Sequence, residues 1–220
     1  MNFTKGTIRG SPYIGIFCTS TEEIAMVPHS IEARELKAIE NALDVEVMKA
    51  SLGNSPLIGA LSRAHARKIA VSVIAEKHEI KALESHGMEV FVLKGYECTG
   101  NLIAINRNAG IASSLLQEDE VKELERFFGV KFGTMRIAGS DLAGACLTVT
   151  NKGLICHPDI SKEDFAEVTE KFKVNGRPTT ANYGDVFVGN SVIANTKGAV
   201  AGASTSGIEM SKIDEGLRGD

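Results

Sequence analysis

Five amphipathic segments follow one another along the chain at nearly constant spacing. Each contains a pair of apolar residues three positions apart, the spacing that places two side chains on one face of a helix. The five pairs are Leu36/Ile39, Ile80/Leu83, Val121/Leu124, Phe165/Val168 and Met210/Ile213. Their second members are 44, 41, 44 and 45 residues apart. An internal period of this length predicts a repeat architecture and takes precedence over local motifs.

A second set of equivalent positions consists of small residues inside apolar stretches that read as strands. They are Gly15, Gly59, Ala104, Gly144 and Gly189, at spacings of 44, 45, 40 and 45. Counting from Gly189 through the C-terminus and on from Met1 to Gly15 gives 46 residues, one further period. The two chain ends are therefore expected to be complementary parts of one repeat. We predict a closed ring of five units rather than an open stack with capping repeats.

The fourth repeat shows most clearly what one unit contains. The segment ACLTVT is rich in β-branched residues and predicts a strand, Asn151-Lys152-Gly153 predicts a tight turn, and LICH predicts a second strand. Ser161 then precedes a helical pattern as an N-cap. After this helix the chain returns toward the next small-residue strand, so the predicted unit is β-β-α-β.

The other repeats follow the same order. We predict helices over residues 32–43 and 117–128, and a capped helix after Ser206. The fifth unit lacks its last strand at the C-terminal end, and residues 2–9 are predicted to supply it. Each unit is too small to bury its apolar faces alone. The chain, residues 1–220, is therefore predicted to form one domain of the mixed α/β (α+β) class.

Composition narrows the classes of function. With 24 basic and 28 acidic residues the net charge is −4, and aromatic residues make up only 5% with no tryptophan. Both values argue against a protein that coats nucleic-acid phosphates or stacks on bases. No apolar run has the length of a membrane span, and the N-terminal segment has no signal-peptide pattern. The four cysteines form no metal-binding motif, so we expect reduced thiols, no metal, no cofactor and a cytoplasmic protein.

The strongest candidate for catalysis is the pair Cys156-His157, with Asp159 and Asp185 as carboxylates that could lie nearby. A cysteine nucleophile needs a positioned base or cation to lower the pKa of its thiol. Adjacent residues of a strand point to opposite faces, so Cys156 and His157 cannot form a direct nucleophile–base pair. We therefore predict structural roles for both residues.

Polar residues also collect in loops that the repeat places on the rims of the ring. One group precedes the small-residue strands and comprises Gly53-Asn54, Gly100-Asn101 and Ser140-Asp141. The other lies at the hairpins and comprises Arg63, His65, Arg67, Lys68, Arg107, Asn108, Asn151 and Asn195. Turn chemistry alone accounts for asparagine and glycine at such places. The cations of the second group predict a modest basic rim that suits a large, mostly negative partner.

Three segments carry a resemblance that the repeat alone does not reveal. They are SPYIGIFCTST, LGNSPLIGALS and GNLIAINRNAGIASSLL. Together with the five-unit closure they resemble the translation initiation factor 6 family in its archaeal form, over the entire chain. The resemblance implies the pentein fold, also called an α/β propeller, with pseudo-fivefold symmetry. It also implies binding to the large ribosomal subunit at its intersubunit face, which prevents premature association with the small subunit.

The same resemblance implies partners and a site. The contact is expected beside the sarcin–ricin loop, mostly with ribosomal proteins and in part with ribosomal RNA. It is made by a monomer that catalyses no reaction, has no membrane or DNA partner, and has a role in large-subunit maturation or recycling. The family's Gly-Asn turn on its ribosome-facing surface is matched by Gly100-Asn101. We extend the predicted ribosome-binding set to neighbouring loop residues, namely Asn54, Arg63, His65, Arg107 and Asn108.

Two alternatives of other classes remain open. The pentein fold also houses guanidine-modifying hydrolases and transferases that use a cysteine nucleophile. A rapidly alkylated thiol and a ureido product from arginine would identify that class. A ring that binds RNA directly would show affinity for naked ribosomal RNA with a steep dependence on salt.

Overall fold

The computed structural model describes residues 1–219 and shows one arrangement repeated five times. Each repeat begins with a one-turn helix, continues through two antiparallel strands and a longer helix, and ends with a strand parallel to the second. The one-turn helices are α1 (Ile14–Phe17), α3 (Ile58–Leu61), α5 (Thr99–Leu102), α7 (Ala143–Cys146) and α9 (Val188–Ser191). The longer helices are α2 (Ala33–Leu43), α4 (Lys77–Ser85), α6 (Glu118–Phe128), α8 (Lys162–Phe172) and α10 (Gly207–Arg218).

The strands of residues 1–219 form five separate three-stranded sheets. The inner strands are β2 (Thr19–Ser20), β5 (Ser62–His65), β8 (Ile103–Ile105), β11 (Leu147–Val149) and β14 (Val192–Ala194). The middle strands are β3 (Ile24–Pro28), β6 (Lys68–Ser72), β9 (Ala109–Ala112), β12 (Gly153–Cys156) and β15 (Gly198–Gly202). The outer strands are β4 (Glu46–Ala50), β7 (Glu89–Leu93), β10 (Lys131–Thr134), β13 (Asn175–Pro178) and β1 (Asn2–Gly6). The middle strand pairs antiparallel with the inner and parallel with the outer one, which confirms the predicted β-β-α-β unit.

The N-terminal strand completes the fifth sheet. β1 pairs in parallel with β15, from Asn2 opposite Gly198 to Gly6 opposite Gly202. Phe3 packs against the apolar cluster of the fifth repeat. The prediction that the chain ends share one repeat is confirmed, with the strand shorter than the predicted range 2–9. The architecture is the pentein, or α/β propeller, that the resemblance implies.

Five glycines in the one-turn helices form the innermost contact of the ring. These ring glycines are Gly15, Gly59, Gly100, Gly144 and Gly189. A Cβ atom on Gly59 would lie 1.9 Å from the carbonyl oxygen of Gly15, and a Cβ on Gly15 would lie 2.0 Å from that of Gly189. The same close approach links the remaining members, so the backbones touch all the way around. Only a residue without a side chain fits at these positions.

Two details of the predicted set of small-residue positions are wrong. The small residues lie in one-turn helices rather than in strands, and the third ring position is Gly100, while Ala104 lies in the inner strand β8. With Gly100 the spacings become 44, 41, 44 and 45, the same as those of the helical pairs. A helix of four residues is too short to show a helical period, so its apolar residues were taken for the start of the following strand.

The predicted capping signals are confirmed at two long helices. Ser161 accepts a hydrogen bond from the backbone N–H of Asp164 at 2.9 Å. Ser206 and Glu209 form a reciprocal capping box at the start of α10. These bonds satisfy backbone donors that the first turn of a helix leaves unpaired.

The alternating directions of strands and helices give the ring two different ends. The turns after the outer strands, the one-turn helices and the first turns of the long helices lie at one end, which we call the turn face. The hairpins between inner and middle strands and the last turns of the long helices lie at the other end, the hairpin face. Accordingly, Glu79 in the first turn of α4 bonds to the backbone of Gly53. At the opposite end, the hairpin residue Asn195 bonds to Leu43 in the last turn of α2.

The apolar core is divided among the repeats. Five clusters of buried side chains each combine residues from neighbouring repeats. In one of them, Met26 of the first repeat packs with Val71 and Leu83 of the second. Each repeat therefore depends on its neighbours for stability, and the ring has two rims on which loops are held by a packed scaffold.

Candidate functional site

Asn101 lies on the turn face with a free side-chain amide. It follows the ring glycine Gly100 in α5, and its backbone N–H donates to the carbonyl of Cys98 at 3.0 Å. Its half-buried side chain makes no hydrogen bond with any other of residues 1–219. An amide offers two donors and an acceptor to a partner, so this position is equipped for recognition.

Asn54 lies on the same face in a turn that a buried carboxylate holds in place. Glu79 accepts hydrogen bonds from the backbone N–H groups of Gly53 at 2.6 Å and Asn54 at 2.9 Å, and from Ser51 Oγ at 2.8 Å. Burial raises the pKa of Glu79, but these bonds outweigh it and the net pKa is lowered. Asn54 has a positive φ of 56°, so an ionised glutamate stabilises a turn conformation that side chains rarely adopt.

Tyr183 is the most exposed large apolar residue of this face, and its turn is held in the same way. Glu209 accepts from the backbone N–H of Tyr183 at 3.2 Å and of Gly184 at 2.8 Å. The tyrosine has a φ of 65° and is 86% exposed. A bulky residue in the left-handed region with its ring in solvent is unusual. The strain is compensated by the carboxylate below it, and the aromatic ring is left available to a partner.

The large exposed apolar side chains of residues 1–219 lie on the turn face. Among residues 1–219 the exposed large hydrophobic residues are Tyr13, Val73, Ile74, Leu115, Tyr183 and Ile208. Every one of them lies in a turn before a one-turn helix or next to the start of a long helix. Apolar side chains concentrated on one face are characteristic of protein interaction surfaces.

On the hairpin face the polar side chains are largely used within the protein. Asn108 donates from Nδ2 to the carbonyl of Phe172 at 2.7 Å, and Lys68 donates to the carbonyl of Phe127 at 2.7 Å. Arg67 forms ion pairs with Glu23 and Glu46. The amides and lysines bond to the last carbonyls of helices, and Arg67 pairs with carboxylates. Less positive charge is therefore available to an external partner on this face.

Two further predicted residues of the hairpin face differ in exposure. The side chain of Arg107 is exposed, and its backbone N–H donates to Asn151 Oδ1 at 2.9 Å. His65 is half-buried at the hairpin end of the central channel, the space that the five inner strands enclose. Burial lowers the pKa of His65, although the nearby Glu22 and Glu23 act in the opposite direction.

Arg63 does not lie on a rim, so the predicted basic rim is wrong for this residue. Its side chain points into the centre of the ring, where Nη2 donates to the carbonyls of Gly100 at 2.7 Å and Gly144 at 3.3 Å. The alternation of side chains along β5 turns it inward, whereas the sequence shows only that a cation precedes a hairpin.

The seven predicted ribosome-binding residues are thus divided among three places. Asn54, Gly100 and Asn101 share the turn face, with Gly100 buried among the ring glycines. His65, Arg107 and Asn108 belong to the hairpin end, and Arg63 occupies the channel. The exposed apolar residues of the turn face were missed. Apolar residues such as Leu115 and Ile208 stand at the helix starts, outside the apolar pairs from which the helices were predicted.

The cysteine and histidine of the catalytic alternative are held in local structure. Cys156 is buried, and burial raises the pKa of its thiol to about 12. His157 Nδ1 accepts from the backbone N–H of Asp159 at 3.1 Å, and Asp185 accepts from Ser191 Oγ at 2.9 Å. A thiol with a raised pKa is a poor nucleophile, and one of the two ring nitrogens of His157 is already engaged.

Two further properties concern metals and membranes. Among residues 1–219 no group of three or more histidine, cysteine, aspartate and glutamate side chains is arranged to hold a metal ion. Within the same range, no helix combines the length and apolar character needed to cross a bilayer.

Comparison with known proteins gives matches over the whole chain. The model of the eIF-6 family matches residues 3–216. Translation initiation factor 6 from Pyrococcus abyssi (strain GE5 / Orsay) is 34% identical, with 99% of each chain covered. The protein of the same name from Staphylothermus marinus is 32% identical, with 100% of this chain and 99% of the relative covered. A solved dimethylarginine dimethylaminohydrolase is 16% identical with a TM-score of 0.44, covering 94% of this chain and 73% of that one. A similarity at this level carries no argument about activity.

Proposed function

Because the chain belongs to the eIF-6 family, we propose that it binds the large ribosomal subunit at the surface that meets the small subunit and thereby prevents the two from joining. Relatives that match over their full length are named translation initiation factor 6. The mechanism is steric exclusion, in which no bond is made or broken. In this proposal the protein acts as a monomer in the cytoplasm, in subunit maturation or recycling.

The observation that carries the proposal is the concentration of exposed apolar side chains on the turn face. This face also carries Asn101 with its free amide and Asn54 in its held turn. Protein interfaces are rich in aromatic side chains and poor in acidic ones at their centre. A net charge of −4 is unfavourable for binding dominated by phosphate contacts. The turn face is therefore suited mainly to ribosomal proteins, with ribosomal RNA as a lesser contact.

Preorganisation of this face supports tight binding. The turns that carry Asn54 and Tyr183 are held by the buried carboxylates of Glu79 and Glu209. Loops that are already ordered lose little conformational entropy on binding. A rigid ring also excludes a second large particle more effectively than a mobile loop.

Cosedimentation with isolated large subunits and with joined ribosomes tests the proposal. We expect the protein to sediment with the isolated subunits and not with the joined particles. Asn101→Ala and Tyr183→Ala should each weaken binding by about 5- to 10-fold, the loss expected for a contact at the centre of an interface. Arg107→Ala is the matched control. Arg107 belongs to the set predicted from the sequence, but its exposed side chain lies on the hairpin face, and in this proposal its truncation leaves binding unchanged.

Several outcomes would contradict the proposal. Equal binding to joined ribosomes would exclude the intersubunit surface. A larger loss for Arg107→Ala than for the turn-face variants would move the contact to the opposite end. Binding to naked ribosomal RNA with a steep salt dependence would favour the RNA-binding alternative, and a ureido product from arginine would favour the hydrolase.

A further inference from the structure

The centre of the ring contains a cation that the proposed function does not use. Arg63 lies in the inner strand β5, four residues after the ring glycine Gly59. The equivalent positions of the other repeats hold uncharged residues, namely Thr19, Ala104, Thr148 and Ile193. The arginine is therefore a departure from the repeat at one position of five.

The contacts of Arg63 leave its charge without a counterion. Nη2 donates to the carbonyls of Gly100 and Gly144, which are neutral acceptors. Nε is buried and has no hydrogen-bond partner, and Nη1 has none among residues 1–219. No carboxylate of residues 1–219 lies within 4.0 Å of the guanidinium. The ion pairs of other arginines, such as Arg67–Glu23 and Arg177–Glu215, lie at the surface. The residue keeps partial access to the centre of the ring, and a charge held away from bulk water is stabilised by a counterion.

Arg63 lines a small cavity at the centre of the ring, which we call the channel cavity. Its volume is about 40 Å³. All five repeats contribute to its wall, including Thr19, Ser20, Arg63, Ala104, Thr148 and Val192. Arg63 is the single charged residue among those of residues 1–219 that line it. Roughly 10–15 Å³ is needed for one water-sized group, so the cavity has room for a monatomic ion and not for a substrate-sized molecule.

A second unpartnered donor lines the same cavity. Thr19 Oγ1 is buried and has no hydrogen-bond partner. Only three side-chain atoms of residues 1–219 are buried without a partner, and two of them, Thr19 Oγ1 and Arg63 Nε, belong to residues of this cavity. The Thr148 hydroxyl, which also lines it, reaches two carbonyls only at 3.3 and 3.4 Å. The wall thus brings together a cation and hydroxyl donors.

The guanidinium remains charged in this setting. Burial lowers the pKa of Arg63 to about 10, which leaves the group protonated at neutral pH. Glu22 lines a neighbouring cavity toward the hairpin end, where it accepts hydrogen bonds from the backbone N–H and the hydroxyl of Thr196. It is therefore committed to another contact.

We propose that the channel cavity binds a small inorganic anion of halide size, held by Arg63 and the hydroxyl of Thr19. The ion neutralises the cation at the point where the five repeats meet. Access runs through the hairpin end of the channel, where a second cavity shares Ser20, Ala64 and Ile105 with the first. The site is separate from the outer surface of the turn face, to which the proposed function assigns ribosome binding.

Anomalous diffraction from crystals grown in sodium bromide is the direct test. We expect a bromide peak inside the ring within about 3.5 Å of the Arg63 guanidinium, a typical distance for a charge-assisted contact with a large anion. Water alone at this place would overturn the proposal. Bromide peaks found only on the outer surface would show adventitious ions and would also overturn it.

Thermal unfolding supplies a second measurement in solution. An anion that binds only the folded protein raises its Tm. We expect the Tm to be about 2–4 °C higher in sodium chloride than in sodium gluconate at equal ionic strength, because gluconate is too large for the cavity. Arg63→Met should abolish this difference whatever its own Tm, and Thr19→Val should reduce it.

Arg107→Met is the matched control, since it removes one positive charge from the surface and should keep the full chloride effect. An equal chloride effect in Arg63→Met would assign the effect to other sites and contradict the proposal. Failure of these tests would leave the cosedimentation results of the turn-face variants unaffected.

Discussion

The turn face and the hairpin face are built from the same five repeats, yet they use their polar groups differently. On the hairpin face, side chains close the turns and bond to the helix ends of neighbouring repeats. Asn106 and Asn195, both buried, each donate to the last turn of a long helix and accept from their own hairpin. On the turn face, buried carboxylates hold the turns from below, while the side chain of Asn101 makes no hydrogen bond within residues 1–219 and the ring of Tyr183 is exposed.

This difference indicates which end is available for binding. Hydrogen bonds on the hairpin face are satisfied within the chain, so a partner there would compete with existing contacts. The turn face presents apolar side chains and a free amide that gain contacts only from outside. The same scaffold thus provides one end that stabilises the ring and another that can recognise a partner.

The largest effect is expected at the ring glycines, where the turn face meets the channel. In Gly59→Ala the added Cβ would lie 1.9 Å from the carbonyl oxygen of Gly15, with no flexible side chain to move. We expect a loss of at least about 4 kcal/mol in the free energy of unfolding, measured by denaturant titration.

Gly207→Ala is the control for this variant. Gly207 begins α10 and has no atom within 4 Å of an added Cβ. It should be neutral or more stable by up to about 1 kcal/mol. A fully stable Gly59→Ala protein would show that the ring is not closed by these contacts.

The next effect is expected on the hairpin face. Asn195→Ala removes donation from Nδ2 to the Leu43 carbonyl at 2.9 Å and acceptance from the N–H groups of Lys197 and Gly198. Buried groups left without a partner should lower the free energy of unfolding by about 3 kcal/mol. Asn190→Ala, on the turn face, removes no hydrogen bond among residues 1–219 and should stay within about 0.5 kcal/mol of the wild type. Equal losses in the two variants would remove the distinction between the faces.

The smallest effect is expected from the carboxylates of the turn face, and it depends on pH. Burial of Glu209 raises its pKa, but hydrogen bonds from Ser206, Thr180 and Gly184 outweigh it and lower the pKa to about 2. The unfolded value is about 4.3. A lowered pKa means that the stabilisation is complete above about pH 5 and is lost as the pH falls toward 2.

Glu209→Gln should therefore be less stable than the wild type by about 2 kcal/mol at pH 7, and the two should converge near pH 2. Asn195→Ala does not alter a titratable group, so its loss in the free energy of unfolding should stay constant over the same pH range. Unfolding titrations between pH 2 and 7 make this comparison. If the stability deficit of Glu209→Gln did not change with pH, the conclusion that an ionised Glu209 holds the turn would be contradicted.

Much of the fold and part of the site could be predicted from the amino-acid pattern. The helical pairs and their period predicted the five units, since apolar spacing records which faces are buried. The one-turn helices were missed because four residues carry too little periodicity. Asn54 and Asn101 were predicted on a rim, whereas Tyr183 was overlooked, since an apolar residue in a turn has no local signal of exposure.

The amino-acid pattern was enough to predict the number of repeats, the order of elements and the sharing of one repeat by both chain ends. These properties depend on local propensity and on the spacing of apolar residues. The packed ring was needed to show that Gly100 meets its neighbours, that Arg63 points into the channel and that the large exposed apolar residues share one face. Each of these depends on the distance between residues remote in sequence, which is set when the five repeats pack against one another.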